Sequence, residues 1–239
     1  MSHDVRPAAA LSPAEQVSEA CAILAGTGND DMVWGHVSMR DPDGRGLWLK
    51  AAGWGLEEVT PERVQLLGFD GTLLEGSGPV HIEFHIHAAI LLARADIHSV
   101  VHTHAPAAVS FAALGVPLRP ISHDGCLFAP PDIPRFTRSG GLIADEELGQ
   151  ALAETVGERN AALIPAHGVV ALGADVPLAV MTSIFLDRAC RVQLPVEAAG
   201  GPRLWSDDAE ALVKRDTCCA PAQLMAGWRY LARRRSPLS

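Results

Sequence analysis

Ile97-His98-Ser99-Val100-Val101-His102-Thr103-His104-Ala105-Pro106 is the stretch on which the reading of this chain turns. A strand sends alternate side chains to one face, so His102 and His104 offer two imidazoles to a single metal ion. The chain supplies partners on both sides. Glu83 stands nineteen residues before His102, in His81-Ile82-Glu83-Phe84-His85-Ile86-His87, and His167 follows much later in Ala166-His167-Gly168, at the end of an apolar run.

Away from this stretch the periodicity alternates between helix and strand. Ser12 caps a helix with Pro13 in its first turn and Glu15 closing a capping box, and this helix runs to about Ala25. Val33 to Met39 and Leu47 to Lys50 read as strands around the turn Asp41-Pro42-Asp43-Gly44, and Val64 to Gly68 as a third before Asp70-Gly71. Between Pro79 and Arg94, His81, Glu83, His85 and His87 alternate as in a strand. The unbroken apolar run after them and the opening proline favour a helix instead. That reading sets Glu83 and His87 one turn apart on a shared face, with His81 and His85 displaced around the cylinder. A buried strand follows at Ser99 to His104, a helix at Ala105 to Ala113 and a short strand at Leu118 to Ile121. Glu146 to Val156 is helical, Ala161 to Pro165 and Val169 to Ala171 are strands, and Pro177 to Val192 is a long helix. Amphipathic helices near Asp207 to Lys214 and Ala222 to Arg234 form a tail from about Gly200. Strands interleaved with helices predict an α/β fold whose sheet is covered on both faces, and 239 residues fit one domain.

Composition narrows the function. With 48% apolar and 20% charged residues the chain is of globular type. Its net charge of -9 argues against a nucleic-acid partner, since it repels phosphate. The basic residues Arg229, Arg233, Arg234 and Arg235 read as a solvated helix end. No apolar run reaches a membrane span, and the first residues MSHDVRPAAA lack the pattern of a signal peptide, so a cytoplasmic location is expected. Five cysteines without CxxC spacing imply neither a disulfide framework nor a structural zinc site.

The string EFHIHAAILLARADIHSVVHTHAPAAVSFAALGVPLRPISH from Glu83 to His123, followed by AHGVVALGADVPLAV, resembles the class II aldolase/adducin family, and the resemblance extends from about Leu11 to Leu194. It implies a three-layer α/β/α fold with a central mixed, mostly antiparallel sheet flanked by helices. It also implies a homo-oligomer, commonly a tetramer, with active sites between subunits. By the same match His102, His104 and His167 hold a divalent metal ion and Glu83 is the catalytic acid/base. Zinc is the expected ion, and manganese, cobalt or iron suit the same donors. Three neutral imidazoles leave such an ion its full charge and open positions, and a partly buried carboxyl with raised pKa beside it moves one proton on carbon.

The departures from the family are equally informative. Its sugar-phosphate aldolases cradle the phosphate with a Gly-Asn, a Ser-Gly loop and two serines before the glutamate. Here those places read Gly35-His36, Ala52-Gly53 and His81-Ile82. A sugar phosphate is therefore not the expected substrate. The chain instead resembles the branch that decarboxylates oxygenated aromatic acids such as 3,4-dihydroxyphthalate, or ring-cleavage products such as carboxylated hydroxymuconic semialdehydes. Arg40 is then a candidate to hold a spare carboxylate, and Ser38, Gly53, His81 and His123 are further substrate contacts. Tyr230 in the tail is another, and His36 and Arg138 are weaker candidates. Two rivals stand beside the decarboxylase: a metal-dependent aldolase acting on a non-phosphorylated hydroxy-keto compound, and a silent, adducin-like binding protein.

Overall fold

The computed structural model describes residues 11–235, so the reading of the leader, which rests on the first ten residues, lies outside them. The strands are β1 (His36–Arg40), β2 (Leu47–Lys50), β3 (Val64–Leu67), β4 (Leu73–Glu75), β5 (Ser99–Thr103), β6 (Ala161–Ile164) and β7 (Gly168–Gly173). They form one sheet in the order β4-β3-β2-β1-β5-β7-β6, with antiparallel pairing at every step. The mixed sheet implied by the resemblance thus reduces here to an antiparallel one, with a single isolated parallel bridge among the described residues, between Arg135 and Leu163.

The helices are α1 (Pro13–Ala25), α2 (Phe84–Ala93), α3 (Pro106–Leu114), α4 (His123–Cys126), α5 (Glu146–Val156), α6 (Val176–Ala198), α7 (Asp208–Cys218) and α8 (Pro221–Arg235). Strand alternation divides them between two faces. Val37, Val101 and Ala171 pack against α1, α6 and α8 on one side, while Val100, Val170 and Leu172 pack against α2 and α5 on the other. His36, Ser38 and Arg40 share the register side of Val100, because Ser38 pairs with Val100 and His36 with His102. The polar side of β1 therefore runs along α2.

Three expectations change. Helix α2 starts at Phe84 rather than Pro79, and Glu83 sits at its N-cap with φ -91° and ψ 22°, so Glu83 precedes the helix. Leu118 to Ile121 forms no strand. Its backbone is satisfied by side chains instead, the Leu118 N–H donating to Asp132 and the Arg119 N–H to Gln193. Helix α6 runs six residues beyond Val192, carrying Pro195 inside its last turn. The capping box of α1 forms as read, the Glu15 N–H donating to Ser12 and the Ser12 N–H to the Glu15 carboxylate.

Candidate metal centre

Glu83, His102, His104 and His167 each bring one donor atom into a group whose members all lie within 4.8 Å of one another. Strand β5 supplies His102 from its buried face, and His104 follows just past the strand end. Their Nε2 atoms are 3.1 Å apart. His102 Nδ1 lies 3.0 Å from the Val169 carbonyl, which can only accept, so this nitrogen carries the proton and Nε2 keeps a lone pair for a metal. His104 is set the same way by Asp31, whose carboxylate is 2.5 Å from His104 Nδ1.

His167 arrives from the hairpin between β6 and β7. The His167 N–H donates to the Ile164 carbonyl across a turn with Pro165 and Ala166 at its centre, and Ala166 takes a φ of 61°. A left-handed alanine costs about 1–2 kcal/mol, strain of the sort kept where a site needs it. Gly168 explains the His-Gly pair. A Cβ there would lie 2.6 Å from the Thr103 carbonyl oxygen, 2.7 Å from the His104 ring and 3.1 Å from the His102 ring. Only glycine lets the hairpin come this close to the imidazoles.

These residues fit a metal ion on their own chemistry. Both ring nitrogens of His167 are buried and lack a hydrogen-bond partner, an arrangement that costs free energy unless something else satisfies it. Glu83 Oε1 is 3.4 Å from His167 Nε2, and Glu83 Oε2 is 3.8 Å from His102 Nε2. Burial works to push the Glu83 carboxyl up, yet the facing imidazoles of His167, His36 and His102 and the N–H donated by Ile143 at 2.9 Å outweigh it. The group is held well below the usual carboxylate range. These contacts run against the raised pKa expected from the sequence and favour the ionised form.

Behind Glu83 lies a buried row absent from the sequence reading as a unit. His36 Nε2 is 3.9 Å from Glu83 Oε2, His36 Nδ1 is 2.5 Å from His87 Nε2, and His87 Nδ1 is 2.6 Å from Ser38 Oγ. Ser38 therefore meets His87 rather than the cluster. His81 receives the Glu83 N–H at 3.5 Å and bonds to the Trp34 backbone, and burial lowers its pKa to about 4.

The other expected contacts lie elsewhere. Arg40 donates to the carbonyls of Leu91, Arg94 and Ile97 at the C-terminal end of α2, so its guanidinium is occupied and does not reach the cluster. Gly53 is exposed, with φ 86° and open space around it. His123 is exposed on α4, and its carbonyl accepts from the Cys219 thiol. Arg138 pairs with Glu147 at the surface. Tyr230 is half-exposed on α8, beside a cleft shared with α6 and the end of α1. Sequence reasoning missed Asp31, whose signal was an acid shortly before a strand that pairs with the His-x-His strand.

Comparison with known proteins bears on this arrangement. The model of the Class II Aldolase and Adducin N-terminal domain matches residues 15–194. A 3,4-dihydroxyphthalate decarboxylase of Rhodococcus jostii is 30% identical over 205 residues, 81% of this chain and 84% of that protein. A 5-deoxy-D-ribulose 1-phosphate aldolase of Bacillus thuringiensis is 30% identical over 167 residues, 67% of this chain and 76% of that one. In fold, the L-fuculose 1-phosphate aldolase from Glaciozyma antarctica superposes with a TM-score of 0.82 at 24% identity, covering 96% of this chain and 94% of its own. Among the described residues no helix is long and apolar enough to cross a membrane.

Proposed function

The chain belongs to the class II aldolase and adducin family, and from that premise we propose that it is a lyase that decarboxylates a small hydroxylated aromatic carboxylate such as 3,4-dihydroxyphthalate. The observation that carries the reading is the buried carboxylate facing three imidazoles, one of them without a hydrogen-bond partner at either nitrogen. The choice of reaction is supported by the similarity to the Rhodococcus jostii decarboxylase over most of both chains.

His102, His104 and His167 would hold a divalent ion, zinc in the first instance. When bound it supplies positive charge beside the substrate's oxygens and so favours the electron-rich form of the ring. Glu83 enters as a carboxylate and takes the proton of a substrate hydroxyl. The pair released on oxygen makes the carbon bearing the carboxylate basic, and the now neutral Glu83 returns the proton to that carbon. The bond to carbon dioxide then breaks, and its electron pair restores the aromatic ring. The phenolate left behind takes a proton from water. The Ile143 N–H aims Glu83, and the closed packing around it keeps solvent from competing for the proton.

A second reading, aldol cleavage, is supported by the similarity to the Bacillus thuringiensis aldolase and uses the same Glu83. In either reading the working form is an oligomer, commonly a tetramer in this family, and the exposed His123 and Tyr230 are available to a neighbouring copy's site. Carbon dioxide release from 3,4-dihydroxyphthalate, before and after chelation and with zinc, manganese, cobalt or iron(II) restored, tests the proposal. Release that requires a metal ion bears it out. Aldehyde release from a hydroxy-keto compound without carbon dioxide transfers the assignment to the aldolase.

A further inference from the structure

The four residues Asp31-Met32-Val33-Trp34 form a turn closed by the Trp34 N–H donating to the Asp31 carbonyl at 3.0 Å. The turn is held from three sides by buried or half-buried polar groups. Asp31 is fixed on His104. Lys50, wholly buried, donates its ammonium to the Val33 carbonyl at 2.8 Å and to the Trp54 carbonyl. His81, which also receives the Glu83 N–H, bonds to the Trp34 backbone. The turn is strained as well, because Met32 adopts a φ of 45°, where a side chain is disfavoured.

All this anchoring serves a turn whose own large side chains are in solvent. Met32 is 67% exposed and Trp34 49%, and Ile82, between His81 and Glu83 in the chain, is 56% exposed. Three large apolar side chains thus sit in the open: Met32 next to Asp31, which sets His104, Ile82 next to Glu83, and Trp34 on the backbone that bonds to His81. Isolated exposed apolar residues need no explanation, but these share one rigid support beside the cluster.

We propose that Met32, Trp34 and Ile82 form the wall that receives the substrate's ring, and that this wall selects a planar aromatic acid over a saturated or phosphorylated one. The inference rests on the function proposed above and names its substrate class. A molecule held through its oxygens at the histidines turns its carbon skeleton outward, toward these side chains. Trp and Met offer an indole face and a polarisable sulfur, both of which prefer an aromatic ring. No guanidinium or ammonium among these three positions is available to a phosphate. The rigid support means that little ordering is required on binding.

Calorimetric titration of the zinc-loaded protein with salicylate and with cis-2-hydroxycyclohexanecarboxylate tests the wall without turnover. The two acids carry the same carboxylate and neighbouring hydroxyl and differ in the ring. Trp34→Ala is expected to weaken salicylate about tenfold and to leave the saturated acid within twofold, with zinc content unchanged. Trp34→Phe restores most of the difference. Met32→Gly relieves the strained φ, so it weakens salicylate while raising the melting temperature. Equal affinity of Trp34→Ala and the parent protein for salicylate overturns the wall. A fall in solution mass of Trp34→Ala also overturns it, since the turn would then be a contact between copies. Failure of the parent protein to release carbon dioxide from 3,4-dihydroxyphthalate would strike the reaction and leave the binding result standing.

Discussion

Strand β1 presents three polar residues to one helix, and its two ends do opposite work. At the start, His36 lies beside Glu83, where α2 begins. At the finish, Arg40 closes on the carbonyls of Leu91, Arg94 and Ile97, where α2 ends. Ser38 between them meets His87 in the middle of the helix. The Arg40 end is ordinary helix electrostatics, a cation at the negative pole satisfying carbonyls that lack partners. The His36 end departs from those rules, with a carboxylate and orphaned imidazole nitrogens packed together in the buried interior. An alternating pattern in a sequence thus reports which residues share a face and leaves open which end of that face is a scaffold and which a reaction site.

The largest test of the contrast removes charge at the His36 end. Glu83→Gln keeps the shape and the bond from Ile143 but cannot carry the proton, so turnover should fall by about 10²–10⁴-fold while metal content by mass spectrometry stays at the parent level. Loss of the metal together with activity would make Glu83 a ligand and remove its proton-moving role. Asp31→Asn should cost about 10–100-fold in metal affinity, because the carboxylate no longer fixes His104 in its tautomer. Competition with a chelator reads this directly. An unchanged affinity would demote Asp31 to loop architecture.

The Arg40 end should respond in the other currency. Arg40→Met leaves several carbonyls unsatisfied and is expected to lower stability by about 1–3 kcal/mol, read as a shift in the urea midpoint, with metal affinity preserved. A specific loss of substrate binding with unchanged stability would restore Arg40 as a substrate contact, the role its sequence position suggested.

That misplacement shows where sequence reading stops. His102 and His104 stand out by strand alternation, whereas Glu83 and His167 are tied to them by the family resemblance rather than by any local spacing. Gly168 is legible in position, and its reason appears only when the rings approach it from β5. Asp31, His36 and His87 depend on pairings between distant segments, such as His36 opposite His102, which no local spacing encodes. The strand expected at Leu118 to Ile121 fails for a related reason. Asp132 and Gln193 take the N–H groups of Leu118 and Arg119, and Pro120 has none to offer a neighbouring strand.

The smallest expected effect concerns pH and separates the two ends once more. Burial lowers the His87 imidazole to about 3, and His36, His81 and Glu83 are the titratable groups around it. The unfolded chain binds a proton on this residue near pH 6.5 whereas the folded chain refuses it until about 3. Stability from His87 is therefore complete above about pH 6.5 and is lost as the pH falls, by about 1.4 kcal/mol per pH unit for one such proton. In chelated protein, so that metal release adds nothing, the urea midpoint should fall steadily between pH 6.5 and 4. His87→Gln, which has no proton to refuse, should flatten that slope by about one proton's worth. Arg40→Met should keep the full slope from a lower starting point, because its carbonyl partners do not titrate. If both variants retained the parent slope, the buried row from Ser38 to Glu83 would open to solvent in acid before the chain unfolds, and the interior behind Glu83 would be less closed than its packing indicates.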